Sequence, residues 1–74
     1  MRDEFPHSRS IRAANYDGRS KELQIEFADG KLQRYYHVPP EIYIKLVEAH
    51  SKDDYVNTYI RPFYEVQDTG DSAA

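Results

Sequence analysis

The side chains best suited to chemistry gather in one stretch. Arg34-Tyr35-Tyr36-His37 places a guanidinium, two phenols and an imidazole in consecutive positions. On a small sheet an arginine can hold phosphate while exposed aromatics stack unpaired bases, each base contributing roughly 1–3 kcal/mol. Asn57 and Arg61 form a second set at i, i+4 spacing, which puts an amide and a guanidinium on one helix face. Such a pair suits an anion site, or the structural roles of an asparagine bonded to a loop carbonyl and an arginine paired with a carboxylate. The candidate binding residues are therefore Arg34, Tyr36, His37, Asn57 and Arg61.

Catalysis and metal binding find no comparable pattern. The three histidines, His7, His37 and His50, match no metal-ligand spacing, and the chain has no cysteine, which excludes thiolate ligation and disulfides alike. Asp53-Asp54 point about 100° apart on a helix, and their place in a first helical turn accounts for both. Ser51 follows His50 in sequence, yet a nucleophile needs its base, an orienting group and an oxyanion site together in space; a cap at Ser51 is the simpler reading. The expectation is a protein that is no enzyme and uses no cofactor or metal.

Length and composition limit the scaffold. A chain of 74 residues is one domain, and a domain this small buries only about 60% of the surface its unfolded chain exposes. A single core of this size rarely contributes more than roughly 3–5 kcal/mol without staples. Seven tyrosines and three phenylalanines with no tryptophan must then carry the core, with phenolic hydroxyls that need partners wherever they are covered. The net charge is −3, with six Lys/Arg against four Asp/Glu over residues 9–34 and three against seven over residues 41–71. That imbalance falls short of the basic stripe, with a domain pI above ~9, that marks an electrostatic nucleic-acid binder. No window approaches the ~18 apolar residues of a membrane span, and a cytoplasmic protein is expected.

The elements that position these side chains can be read in order. Residues 1–7 lack periodicity and are expected to be a disordered lead-in. Residues 8–16 alternate weakly, in the manner of an edge strand, and Asp17-Gly18-Arg19-Ser20 reads as a turn in which glycine can take positive φ. Leu23, Ile25 and Phe27 alternate with Glu22, Gln24 and Glu26 as a half-buried strand. A three-residue turn with Gly30 in the left-handed region then pairs Leu23 with Tyr35 and Ile25 with Gln33; a two-residue turn would reverse the faces of Tyr35 and Tyr36. Val38-Pro39-Pro40-Glu41 starts a helix that continues through Ile42, Tyr43, Leu46 and Val47. Ser51 opens a second helix with Tyr55, Val56, Tyr59 and Ile60 at helical spacing, and Pro62 ends it. Residues 63–66 are extended, and the small, polar, acidic residues 67–74 are expected to be disordered.

The order and spacing of Ser10-Ile11, Tyr16-Asp17, residues 23–27, Gly30, Tyr35, Val38-Pro39, Tyr43, Ala49-His50-Ser51, Asn57, Ile60-Arg61 and Tyr64 resemble the KTSC domain, a small bacterial module named for its occurrence at the C-terminus of some lysyl-tRNA synthetases. Gln33 stands where the family carries the first tyrosine of a Tyr-x-Tyr pair, and Asp53 where it usually carries glycine. The surviving second tyrosine is Tyr35, so the resemblance implies the register that turns Tyr35 inward. It also implies RNA or tRNA as a suggested ligand.

The expected architecture is α+β: a three-stranded antiparallel meander packed on two short helices, with room for a short C-terminal edge strand near residues 63–66, all in one domain over residues 8–66. Two functions fit it. One is a module that contacts RNA through an aromatic and basic sheet surface; the other is a protein-interaction module that docks a partner on its aromatic face or edge strand.

Overall fold

Two short turns fold the middle of the chain into a meander. The computed structural model describes residues 1–71, of which 68–71 are described by their backbone alone. Strands β2 (Ile11–Asp17), β3 (Glu22–Phe27) and β4 (Lys31–Tyr35) run antiparallel in sequence order. The turn between β3 and β4 is the three-residue one. Gly30 takes φ 94°, its N–H donates to the Phe27 carbonyl at 3.0 Å, and the register pairs Leu23 with Tyr35 and Ile25 with Gln33. In the other turn the left-handed residue is Lys21, at φ 60°, and not Gly18; the Lys21 N–H closes onto the Asp17 carbonyl while the Asp17 carboxylate accepts from the Arg19 N–H.

The sheet has five strands, not three. β1 (Arg2–Glu4) pairs with β2, and β5 (Val66–Asp71) pairs with β4, in the order β1-β2-β3-β4-β5. β2 is consequently an interior strand and not the edge its weak alternation suggested. Residues 1–7, expected to be disordered, contribute β1 because Phe5 enters the core directly behind it and the Phe5 N–H bonds the Arg12 carbonyl at 2.8 Å. One buried aromatic leaves no periodicity to read. The edge strand expected at residues 63–66 starts at its last residue: the Phe63 and Tyr64 N–H groups close a turn onto the Ile60 carbonyl. Residues 67–71 of the expected disordered tail form the rest of the strand, through backbone pairing that a polar sequence does not advertise. Residues 72–74 lie outside the described residues.

Helix α1 (Pro40–Glu48) starts as read, with Pro39 in extended conformation before it and Glu41 in its first turn. It buries Tyr43 and Leu46. Helix α2 (Lys52–Tyr55) runs directly into a π-helical turn (Val56–Ile60), closed by the Arg61 N–H on the Val56 carbonyl at 2.9 Å. The wider turn inserts Val56 and Ile60 into the core and leaves Tyr59 53% exposed.

These helices cover one face of the sheet. Leu23, Ile25, Tyr35, Val38, Tyr43, Leu46, Val56 and Ile60 close the core with Phe5, Ile11 and Tyr16. Tyrosines do structural work there through ring and hydroxyl together. Tyr16 and Tyr43 stack with centroids 5.3 Å apart, the Tyr16 hydroxyl donates to the Val38 carbonyl at 2.6 Å, and the Tyr43 hydroxyl donates to Asp3 on β1. Tyr35 donates to Gln33 Oε1 and Tyr55 to the Ile42 carbonyl, and among the described residues no buried side-chain polar atom lacks a partner. Burial pushes the Tyr16, Tyr43 and Tyr55 hydroxyls above the ordinary phenol range.

The register makes neighbouring tyrosines fail differently. Tyr35 is fully buried, whereas Tyr36 is half-buried with its hydroxyl on Gln67. Tyr35→Ala should cost about 3–5 kcal/mol, as other large aromatic truncations in cores do, while Tyr36→Ala should cost under about 1 kcal/mol. Thermal melts of the two variants check this, and a reversed order would overturn the register.

Candidate functional site

The open face of the sheet carries a polar row that crosses all five strands. The pairings Arg2↔Asn15, Asn15↔Gln24, Gln24↔Arg34 and Arg34↔Gln67 align these side chains side by side. Period-2 alternation places the inner three: Asn15, Gln24 and Arg34 are each one residue from a core position, so their Cβ atoms point away from the helices, and Arg2 and Gln67 pair directly beside Asn15 and Arg34. Arg34 lines a polar hollow of about 160 Å³ with Asn15, Asp17, Glu22 and Gln24. Tyr36 lies beyond it, its hydroxyl donating to Gln67 Oε1 at 2.5 Å and its N–H to the Glu65 carbonyl at 3.1 Å. His37 is exposed and left-handed, at φ 58°. That geometry turns the chain so that the Val38 N–H reaches the Lys21 carbonyl at 2.9 Å.

Charge on this face is balanced internally. Arg2 and Arg12 both reach Glu26, at 3.4 and 3.2 Å, and Arg34 is accompanied by Asp17 and Glu22. The Asp17 carboxyl is held below its ordinary range by the Arg19 N–H. Such a surface offers hydrogen bonds and one aromatic ring, without the excess cation that a phosphate chain requires.

Asn57 and Arg61 sit elsewhere. Both are exposed in the helical layer, so the sheet separates them from Arg34 and Tyr36. Asn57 is not buried, as the structural role weighed for it would need, and the Arg61 guanidinium lies over the Phe27 ring at 5.8 Å, with no carboxylate partner among the described residues. Arg34 and Tyr36 thus lie on the opposite side of the sheet from Asn57 and Arg61, and His37 is exposed just past the end of β4.

The two sheet edges are unlike. β1 is three residues long and wholly charged, a blunted edge. β5 is six residues long, and among the described residues nothing pairs with its far side. At its start lie two exposed apolar side chains, Phe63 at 71% and Val66 at 49%.

A further cluster escaped the sequence reading. Ser51 precedes α2, but its hydroxyl bonds Asp53 Oδ1 at 2.8 Å and not a helix N–H, and the Ser10 hydroxyl approaches Asp53 Oδ2 at 3.5 Å from the other side of the chain. The Lys52 ammonium bonds the Val47 and Ala49 carbonyls, the acceptors left open at the end of α1, and lies 5.1 Å from the Phe5 ring centre. Ser51 was read as a helix cap and Ser10 was visible only as a residue of a family pattern; nothing local announced that they share a carboxylate. Among the described residues no three His, Asp or Glu side chains come together as a metal site, and no helix is long and apolar enough to cross a membrane.

Comparison with known proteins agrees with the resemblance read from the sequence. The family model described as the KTSC domain matches residues 7–64. An uncharacterized protein from Stutzerimonas stutzeri is 40% identical over 55 residues, covering 74% of this chain and 78% of that protein. A protein from Tsukamurella paurometabola is 38% identical over 55 residues, covering 74% and 82%. The crystal structure of a KTSC domain protein from Yersinia pestis superposes with a TM-score of 0.86 at 23% identity, covering 95% of this chain and 97% of that one, and so shares the fold.

The Asp53 cluster has a pH signature. The Ser51 hydroxyl, ahead of the other donors, holds the Asp53 carboxyl below its ordinary range. A carboxyl depressed in the folded state adds stability above its unfolded pKa and loses it as pH falls through the folded value. Melting temperature should therefore drop between about pH 5 and pH 3 less steeply in Asp53→Asn than in the parent. Parallel slopes in calorimetry would show that the cluster holds no such charge.

Proposed function

The chain belongs to the KTSC domain family, and we propose that it works as a non-enzymatic protein-interaction module which takes up an extended segment of a partner along β5. The observation that carries this reading is the open side of β5, six residues long, with Phe63 and Val66 exposed where it begins. An unpaired strand edge presents a row of backbone donors and acceptors, and an added strand satisfies them while its alternate side chains find pockets or apolar neighbours. Phe63 and Val66 supply those neighbours. The contrast with β1, short and charged at the opposite edge, supports the choice of edge.

The RNA or tRNA reading rests on Arg34, Tyr36 and His37. Against it stand the carboxylates beside Arg34, the engagement of Arg2 and Arg12 by Glu26, and a pI near 5.5. Tyr36 offers one ring where sequence-tolerant binders of single strands stack several bases in succession.

Salt separates the two. Peptides selected from a random library should shift the backbone amides of residues 63–71, bind almost equally at low and high sodium chloride, and be lost in Val66→Asp. Single-stranded uridine-rich RNA should leave the spectrum unchanged. RNA-induced shifts centred on Arg34, Tyr36 and His37 that fade steeply as salt rises would replace this proposal with the nucleic-acid one.

A further inference from the structure

Away from both the open sheet face and the β5 edge, two segments remote in sequence face each other across a groove. One wall is the connection from β1 to β2, carrying His7, Ser8, Arg9 and Ser10; the other is the connection from α1 into α2, carrying His50, Ser51, Lys52 and Asp53. The space between them is about 370 Å³, and it adjoins a second cleft of about 230 Å³ where Phe5 and Pro6 form part of the lining. The groove is the larger of these spaces.

Its polar groups divide into those already engaged and those left over. Asp53 receives the Ser51 and Ser10 hydroxyls, Ser8 Oγ accepts the Ile11 N–H at 3.2 Å, and Lys52 is held on two helix carbonyls beside Phe5. Two of these contacts, Ser10 with Asp53 and Lys52 with Phe5, tie the walls together. The side chains of His7, Arg9 and His50, by contrast, make no hydrogen bond or ion pair with any described residue. All are nitrogen donors, they stand on both walls, and the pinned Lys52 ammonium adds a fixed positive charge between them. Glu4, at the far cleft, and Asp53 are the carboxylates in this region, and Asp53 is already supplied with hydroxyl donors. On the sheet face the opposite holds: Arg2 and Arg12 are both engaged by Glu26.

We infer that this groove binds the phosphate group of a small phosphate monoester, with Arg9 as the principal contact and His7 and His50 as further donors from the two walls. Several donors on facing walls suit a tetrahedral dianion with three terminal oxygens better than a planar carboxylate, which a single guanidinium fork satisfies. The apolar lining at Phe5 and Pro6 lies where the organic part of such an ester would extend. The site is independent of peptide docking at β5.

Amide-shift titration of the full chain at constant ionic strength tests this with two probes, phenyl phosphate and inorganic phosphate. Phenyl phosphate should shift amides of residues 5–10 and 49–53 and saturate; tighter binding than inorganic phosphate would place the organic part in the adjoining cleft, and equal binding would make free phosphate the ligand. Arg9→Ala, at an exposed position, should keep the parent melting temperature and lose at least about tenfold in affinity, the loss expected for one hydrogen bond between charged groups. His50→Gln should weaken binding by a smaller factor. Absence of saturable shifts with either probe, shifts spread over all surface cations, or an Arg9→Ala variant that binds as the parent does would overturn the inference.

Discussion

The stacked pair of Tyr16 and Tyr43 holds the sheet to its helical layer, and much of the molecule depends on it. Tyr16 projects from an interior strand and Tyr43 from α1, so their ring contact is a direct link between the two layers. Their hydroxyls extend the link at both ends. Tyr16 binds the Val38 carbonyl at the step where the chain leaves β4 for α1, and Tyr43 binds Asp3 on β1. A domain without disulfides must obtain order from such contacts, because its apolar area is small. Each hydroxyl is buried only because an acceptor waits for it; an unmet one would cost about 1–3 kcal/mol, a large share of the stability of so small a core.

Much of this was legible in the sequence, and the exceptions have physical causes. The Asp29-Gly30 turn and the alternation of Leu23, Ile25 and Phe27 together set the register, and with it the inward face of Tyr35. Pro39-Pro40 and the apolar spacing after them set α1. The outer strands were not legible. β1 offers three charged residues and β5 a polar run, and both are strands because neighbouring backbones pair with them, a property that side-chain pattern does not encode. Likewise, the left-handed residue of the first turn is Lys21 and not Gly18, because closing the turn onto the Asp17 carbonyl requires that conformation one step before β3.

The candidate surfaces show the same division. Arg34 and Tyr36 share the open face as alternation requires, but which carboxylates would surround Arg34 depends on β2 and β3 lying beside it. Asn57 and Arg61 were matched as a helical pair, and the π-helical turn carries them to the exposed side of the helical layer. The groove between residues 7–10 and 50–53 joins two stretches that no local pattern connects. What unifies these surfaces is the satisfaction of charge: where carboxylates and cations meet, as at Glu26, the surface is finished, and where donors or a strand edge remain unmet, binding has something to gain.

The tyrosine link is the central claim, and removing one oxygen atom tests it most directly. In Tyr16→Phe the ring stack with Tyr43 can persist while the buried Val38 carbonyl loses its donor. Urea unfolding of the variant should show a loss of about 1–3 kcal/mol with an unchanged slope, the cost of an unsatisfied buried acceptor. A variant as stable as the parent would contradict the account, because the hydroxyl would then be incidental to how the sheet and the helices are joined.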